Sequence, residues 1–264
     1  MAILNITPDS FFDGGIFYTD RLRIDRVLKY AESCLSAGSS ILDVGGESSR
    51  PGASAISVTE ELERVIPVIE ALRARFDAVI SVDSSTPEVM LESAAAGAKI
   101  INDIRSLQQH GALEAALETG LPVCLMHMQG TPETMQKKPI YTDVVSEVLS
   151  WLILRVDACL KAGFTTNQLA LDPGFGFGKT LEHNVTLFRG LVRFVQTGYP
   201  ILVGVSRKTM IGEITGRPIE QRTTGSAMAA AIAASYGAAI LRVHDVAETR
   251  DAVMMIQTLT QGMQ

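Results

Sequence analysis

Short apolar runs alternate with longer amphipathic segments eight times along these 264 residues, a pattern that few folds accommodate. The runs span residues 2–5, 40–44, 79–83, 99–102, 123–127, 169–172, 201–205 and 239–244. The segments that follow them, near 20–37, 59–76, 87–96, 112–119, 141–162, 181–197, 220–236 and 247–260, carry apolar residues at helical spacing. Strict strand–helix alternation implies a parallel sheet with right-handed crossovers. Eight such units in about 250 residues is the size of a closed (β/α)8 TIM barrel. An open doubly wound sheet is the alternative, but it favours a Gly-x-Gly-x-x-Gly turn after the first strand. Residues 5–15, NITPDSFFDGG, contain none. No linker rich in Pro, Gly or Ser and no charge block breaks the pattern, so residues 1–264 are expected to form a single α/β domain.

The ends of the runs are chemically unequal. Asn5 ends the first, Asp43 lies late in the second, Asp83 ends the third, and Asn102 and Asp103 end the fourth. Met126 and His127 end the fifth and Asp172 the sixth. Ser206, Arg207 and Lys208 follow the seventh, and Arg242 and His244 close the eighth. The chain entering the strands is bland by comparison: Gly38–Ser39, Gly97–Ala98, Thr119–Gly120 and Tyr236–Gly237. In a barrel the polar ends meet at one mouth, where active sites are built. Packing alone does not require that asymmetry.

Residues 169–179, LALDPGFGFGK, concentrate the signal. Pro173 lacks an amide hydrogen, so the sheet ladder should stop at Asp172. Gly174, Gly176 and Gly178 then let the backbone turn and approach a ligand, with Phe175 and Phe177 between them and Lys179 after. The plainer reading is an aspartate that caps the following helix. In the last strand, alternation puts Ile240, Arg242 and His244 on one face. Arg242 and His244 beside Lys208 suit an anion, while Arg207 alone reads better as an ion-pair partner of Asp245. Asp83, Asn102 and Asp172 offer the acceptors and donors that match a heterocycle edge. A structural hydrogen-bond network is an equally good reading of Asp83.

Two early loops are long for such a barrel. Residues 7–17 carry Pro8, Asp9, Asp13 and the Gly14–Gly15 pair, and residues 45–54 read GGESSRPGAS with Arg50 beside Pro51. Both are expected to act as lids over the mouth. Asn5 and Asp9 offer oxygen ligands of the kind Mg²⁺ takes when it also binds phosphates. His110, His127 and His183 show no zinc-site spacing. His110 and His183 read as surface or capping residues, and Met128 and Met135 as ordinary packing.

A formal charge of −6 and a pI near 5.3 argue against a general nucleic-acid or anionic-membrane binder. Cys34, Cys124 and Cys159 are scattered without a Cys-x-x-Cys, which fits a reducing compartment. No secretion signal is visible, so a cytoplasmic protein is expected. The alanine-rich stretch 227–241 is interrupted at Ser235, Tyr236 and Gly237 and reads as a packed helix and strand.

Taken in order, NITPDSFFDGG, DVGGESSRPGA, ISVDSSTP, IINDIRSL, CLMHMQGTP, LALDPGFGFGK, GVSRKTMIG and LRVHD closely resemble the bacterial dihydropteroate synthases, over nearly the whole chain. The wider pterin-binding barrel family, methyltetrahydrofolate methyltransferases included, shares the barrel but not both early loops. The resemblance implies a folate-pathway transferase that joins 6-hydroxymethyl-7,8-dihydropterin diphosphate to 4-aminobenzoate, with sulfonamides as inhibitors of the family. It implies pterin contacts at Asp83, Asn102, Met126, Asp172, Phe177, Gly204 and Lys208, with Arg242 stacking. It implies diphosphate contacts at Asn5, Arg50, Arg242 and His244, Mg²⁺ at Asn5 and Asp9, and an aminobenzoate site at Phe11, Ser49, Pro51 and Ser206. Asp83, Asp172, Lys208, Arg50, Arg242 and His244 would carry the catalysis. A homodimer through the late helices is implied as well. The sequence departs from the family pattern at Phe12, where Ser is usual, at Ser49 and Ser84, where Thr is usual, and at Thr86, where Lys is usual. Phe12 falls in a loop expected to shape the aminobenzoate pocket, which bears on drug response more than on the reaction. A Schiff-base aldolase on the same fold needs a lysine within a strand, and Lys99 and Lys208 flank theirs. A barrel that binds pterin without turnover is the non-catalytic alternative.

Overall fold

Asn5, at the end of the first strand, lies level with five other strand residues, and the ladder that creates this row runs around the molecule. The computed structural model describes residues 1–7, 17–18, 22–48, 56–132 and 134–261. Within them the chain runs β1 (Ala2–Asn5), α1 (Ile24–Ser36), β2 (Ile41–Gly45), α2 (Val58–Arg75), β3 (Val79–Asp83), α3 (Pro87–Ala96), β4 (Ile100–Asp103), α4 (Ala112–Thr119) and β5 (Val123–Met126). It continues with α5 (Val144–Ala162), β6 (Leu169–Asp172), α6 (Leu181–Arg189), α7 (Leu191–Val195), β7 (Leu202–Val203), α8 (Thr209–Thr215), α9 (Thr223–Ser235), β8 (Ile240–Leu241) and α10 (Val246–Gln261).

Strands β1 to β6 pair in sequence order, all parallel, and β7 pairs with β8. Two parallel bridges join the pieces: Leu171 to Ile201 links β6 to β7, and Ala2 to Val243 links the end of β8 to β1. The second is secured by Ile3 N donating to Val243 O at 3.1 Å and Val243 N donating to Met1 O at 3.0 Å. Through these bridges the ring closes as the α/β barrel that strand–helix alternation implies.

Alternation along the strands decides what lies inside. Ala2, Leu4, Leu42, Val44, Ile80, Val82, Ile101 and Leu125 join the hydrophobic cluster shared with the helices. The alternate residues Ile3, Asp43, Ser81, Asn102, Cys124 and Met126 are buried but outside that cluster, toward the barrel axis. Helix starts follow local chemistry. Asp143 accepts from Val145 N and Ser146 N, both at 3.1 Å, at the head of α5. Thr180 and His183 form a reciprocal cap on α6, with His183 N 3.2 Å from Thr180 Oγ1 and Thr180 N 3.3 Å from His183 Nδ1. His183 is thus the capping residue that its position suggests.

Three expectations are revised. The seventh and eighth strands have ladders of only two residues each, shorter than the apolar runs 201–205 and 239–244. The helix expected over 181–197 is two helices broken at Gly190, where any Cβ would lie 2.7 Å from the Val145 side chain of α5. Helix α8, just past Lys208, adds a helix between β7 and α9 that lies outside the eight expected segments. None of the three cysteines is joined in a disulfide, and all are buried. Among the described residues no helix is long and apolar enough to cross a membrane.

Candidate active site at the carboxyl rim of the barrel

Register places the polar strand ends side by side. Asn5 pairs with Gly45, Gly45 with Asp83, Asp83 with Asn102, Asn102 with Cys124, and Cys124 with Ala170. Two residues further on, Met126 pairs with Asp172. Residues up to 165 positions apart in sequence (Asn5 to Ala170) therefore share one level of the barrel.

Arg242, just past β8, reaches over β1 at this level toward the second and third strands. Its Nη2 donates to Asp83 Oδ2 at 2.7 Å and its Nε to Asp43 Oδ2 at 2.6 Å. Asn102 Nδ2 donates to the same Asp43 oxygen at 3.1 Å. Asp43 is fully buried, and among the described residues its Oδ1 accepts no hydrogen bond. Burial pushes the Asp83 carboxyl up to about 7, with the Arg242 charge pulling it back. Burial also opposes the charge on Arg242, but Asp43 and Asp83 outweigh it and hold the guanidinium more firmly protonated than usual.

A second group gathers at the ends of β6 and β7. Gly174 N donates to Asp172 Oδ1 at 2.7 Å, tying the glycine loop to the carboxylate. Lys208 Nζ donates to Phe175 O and lies 4.4 Å from the centre of the Phe177 ring. Burial raises Asp172 against the pull of Lys208, and lowers Lys208 to about 8 against the pull of Asp172. Each group also feels Arg242, so the two clusters form one electrostatic unit. Gly204 lies under Arg242, whose Cβ is 3.7 Å from where a Cβ of residue 204 would be.

Ser206 and His244 close the rim. His244 N donates to Ser206 Oγ at 3.2 Å, and the same hydroxyl lies 3.0 Å from His244 Nδ1. Between Ser206 and Lys208, Arg207 holds the left-handed conformation with φ 58°. It is fixed there by a two-pronged ion pair with Asp245 and by its N–H donating to Ser226 Oγ at 2.9 Å. Arg207 is the ion-pair residue and Lys208 the one facing the acids.

Asp9, Phe11, Ser49, Arg50 and Pro51, expected to complete the phosphate, metal and aminobenzoate contacts, lie outside the described residues, as does Phe12. The second loop is nevertheless anchored at its start, by Arg64 Nη1 donating to Gly46 O at 2.8 Å and by Arg105 Nη1 donating to Glu47 Oε2 at 2.8 Å. Among the described residues no group of three or more His, Cys, Asp or Glu could hold a metal. Asn5, half-buried at the end of β1, offers an amide oxygen of the hard type that suits Mg²⁺, which commonly takes one or two protein oxygens and fills its octahedron with phosphates and water.

The profile described as "Pterin binding enzyme" matches residues 1–244. A dihydropteroate synthase of Escherichia coli strain K12 is 56% identical over 257 residues, covering 97% of this chain and 90% of the relative. The chain belongs to the dihydropteroate synthase family. Solved dihydropteroate synthases superpose closely on it. One from Yersinia pestis, in a complex with a sulfonamide drug, has a TM-score of 0.95 and 51% identity, covering 99% of this chain and 94% of that one. One from Xanthomonas albilineans in complex with 7,8-dihydropteroate has a TM-score of 0.88 and 44% identity, covering 100% and 94%.

Two residues of this rim receive no role from sequence reasoning. Asp43, which the sequence marks only as one of the polar strand ends, is the buried anchor of Arg242. Lys179 looks like a surface lysine after a glycine loop, yet it is 3% exposed.

Proposed function

We infer that the chain catalyses the dihydropteroate synthase reaction, joining 6-hydroxymethyl-7,8-dihydropterin diphosphate to 4-aminobenzoate and releasing 7,8-dihydropteroate and diphosphate. The observation that carries this reading is the single electrostatic unit of Asp83, Asn102, Asp172, Lys208 and Arg242 at the carboxyl rim, beside Ser206 and His244.

The pterin binds with its hydrogen-bonding edges on Asp83, Asn102 and Asp172, with Lys208 donating to a ring acceptor and Met126, Phe177 and Gly204 packing around it. Asn5, Arg50, Arg242 and His244 hold the diphosphate. Asn5 and Asp9 would hold Mg²⁺, which would supply neutralisation of the departing negative charge. As the C–O bond to diphosphate breaks, positive charge grows on the pterin methylene, and the carboxylates of Asp83 and Asp172 favour it. The aminobenzoate amine, held by Phe11, Ser49, Pro51 and Ser206, attacks that carbon and then loses a proton. Residues 7–17 and 45–54 exclude water meanwhile. No side-chain nucleophile takes part.

The exposed Met228, Met254, Met255 and Leu259 of α9 and α10 support a homodimer through the late helices, which sedimentation would test. A single domain and a cytoplasmic setting complete the reading. The test of function is diphosphate release in the presence of Mg²⁺, measured with and without 4-aminobenzoate. Release that requires aminobenzoate and matches dihydropteroate formed supports the reading. Methyl transfer from methyltetrahydrofolate, or pterin binding without any diphosphate release, contradicts it.

A further inference from the structure

Lys179 carries a charge into the barrel wall that no role above explains. Its Nζ lies 2.9 Å from Gly174 O, 3.0 Å from Phe177 O and 3.0 Å from His127 Nδ1, with His127 O further off at 3.4 Å. An ammonium has three protons and no lone pair, and the three nearest atoms are all acceptors. With the ammonium as donor, His127 presents an unprotonated Nδ1. Burial and the Lys179 charge keep its imidazole neutral, lowering it to about 3. The ring is itself fixed, edge-on to Trp151 at 5.0 Å between centroids.

Gly174 and Phe177 bracket the glycine loop, so this one ammonium ties both ends of it to β5. The loop also presses on the strand end, since a Cβ at Gly174 would collide with the His127 carbonyl. The residues it thereby fixes, Phe175 and Phe177, are the two that hold Lys208, one by its carbonyl and one by its ring face.

We propose that Lys179 is a positioning residue for the transfer: its ammonium, saturated by Gly174 O, Phe177 O and His127 Nδ1, shapes the 173–178 loop so that Phe175 and Phe177 hold Lys208 against the pterin. The proposal rests on the reading of this rim as a pterin-diphosphate site. A neutral amine or a methionine cannot satisfy all three acceptors, and the loop then loses its fixed geometry. The charged and titratable neighbours of Lys179 are His127 just past β5, Asp172 at the end of β6 and Lys208 after β7, with Tyr141 donating to Gly178 O at 2.9 Å. Burial lowers Lys179 to about 7, opposed by Asp172 and reinforced by Lys208.

A double-mutant cycle tests this on the intact chain. The dissociation constant of 6-hydroxymethyl-7,8-dihydropterin diphosphate is measured calorimetrically with Mg²⁺ and without aminobenzoate, for wild type, Lys179→Met, Lys208→Met and the double variant. Lys179→Met is expected to weaken binding about tenfold with Lys208 present and less than about threefold once Lys208 is gone. If Lys179→Met does not fold, Lys179→Gln replaces it in the same cycle. Equal losses in both backgrounds make Lys179 merely structural and overturn the proposal, as does unchanged binding. Wild type that fails to bind this ligand overturns instead the reading of the site.

Discussion

Arg242 Nε lies 2.6 Å from Asp43 Oδ2, joining the last strand to a carboxylate fully buried in the second. A second acid, Asp83, accepts from Nη2 of the same guanidinium at 2.7 Å. Removing one charge from such a buried set leaves the others uncompensated. Asp43→Asn is therefore expected to lower unfolding free energy by about 3 kcal/mol in urea titration. Asp25→Asn, which breaks an exposed pair with Arg23, should leave the urea midpoint unchanged within error.

Lys208 is expected to show the opposite balance between stability and activity. Burial lowers its ammonium to about 8, so at neutral pH the folded chain bears the cost of a charge taken out of water. Lys208→Met removes that cost together with the pull of Asp172 and Asp83, and the net lowering shows burial to be the larger effect. The melting temperature should stay level or rise, while turnover falls about 100-fold through loss of the pterin contact. A fall in both together would assign Lys208 to the framework instead.

Glycine in the loop after β6 answers to space as well as conformation. Gly174 has φ 70° and abuts the His127 carbonyl, whereas Gly198 has φ 83° with nothing within 4 Å. Gly198→Ala should cost only about 1 kcal/mol, the price of a left-handed alanine. Gly174→Ala should cost more than about 3 kcal/mol and abolish pterin binding. Thermal melts and ligand titrations of both variants check the contrast.

His127 gives a pH signature with a definite sign. Its imidazole titrates near 3 in the folded chain because burial and Lys179 disfavour the cation, against an ordinary value of 6.5. Between those values the unfolded chain binds the extra proton, so this contribution to stability is present above pH 6.5 and is lost as pH falls toward 3. The slope is about 1.4 kcal/mol per pH unit for one proton. Urea midpoints of wild type and His127→Gln across this range should converge as the solution is acidified. Parallel curves would show that His127 is protonated in the native state.

The barrel was legible because both of its signals are periodic. Buried parallel strands read as apolar runs, and Asp83, Asp172 and Arg242 stood out as polar residues at their ends. What stayed hidden depends on contacts between distant segments. The break at Gly190 follows from how closely α5 approaches, and α8 forms in a short segment with little helical periodicity of its own. Asp43 and Lys179 were underrated for a related reason. A lone acid within a strand and a lysine after glycines have many ordinary explanations, and only tertiary geometry supplies the arginine for one and the three acceptors for the other. Arg207 is the exception: its ion pair with Asp245 spans 38 positions, yet both lie in the polar segments that follow the last two strands.

The central claim is spatial: one rim brings Asp83, Asn102, Asp172 and Lys208 to the edges of a pterin, with Arg242 and His244 on the phosphate side. A crystal structure of the chain with 6-hydroxymethyl-7,8-dihydropterin diphosphate measures this directly. The predicted result is a pterin ring within hydrogen-bonding distance of all four groups and a diphosphate beside Arg242 and His244. A pterin bound elsewhere on the barrel, with these side chains still engaged only with one another, would contradict the account.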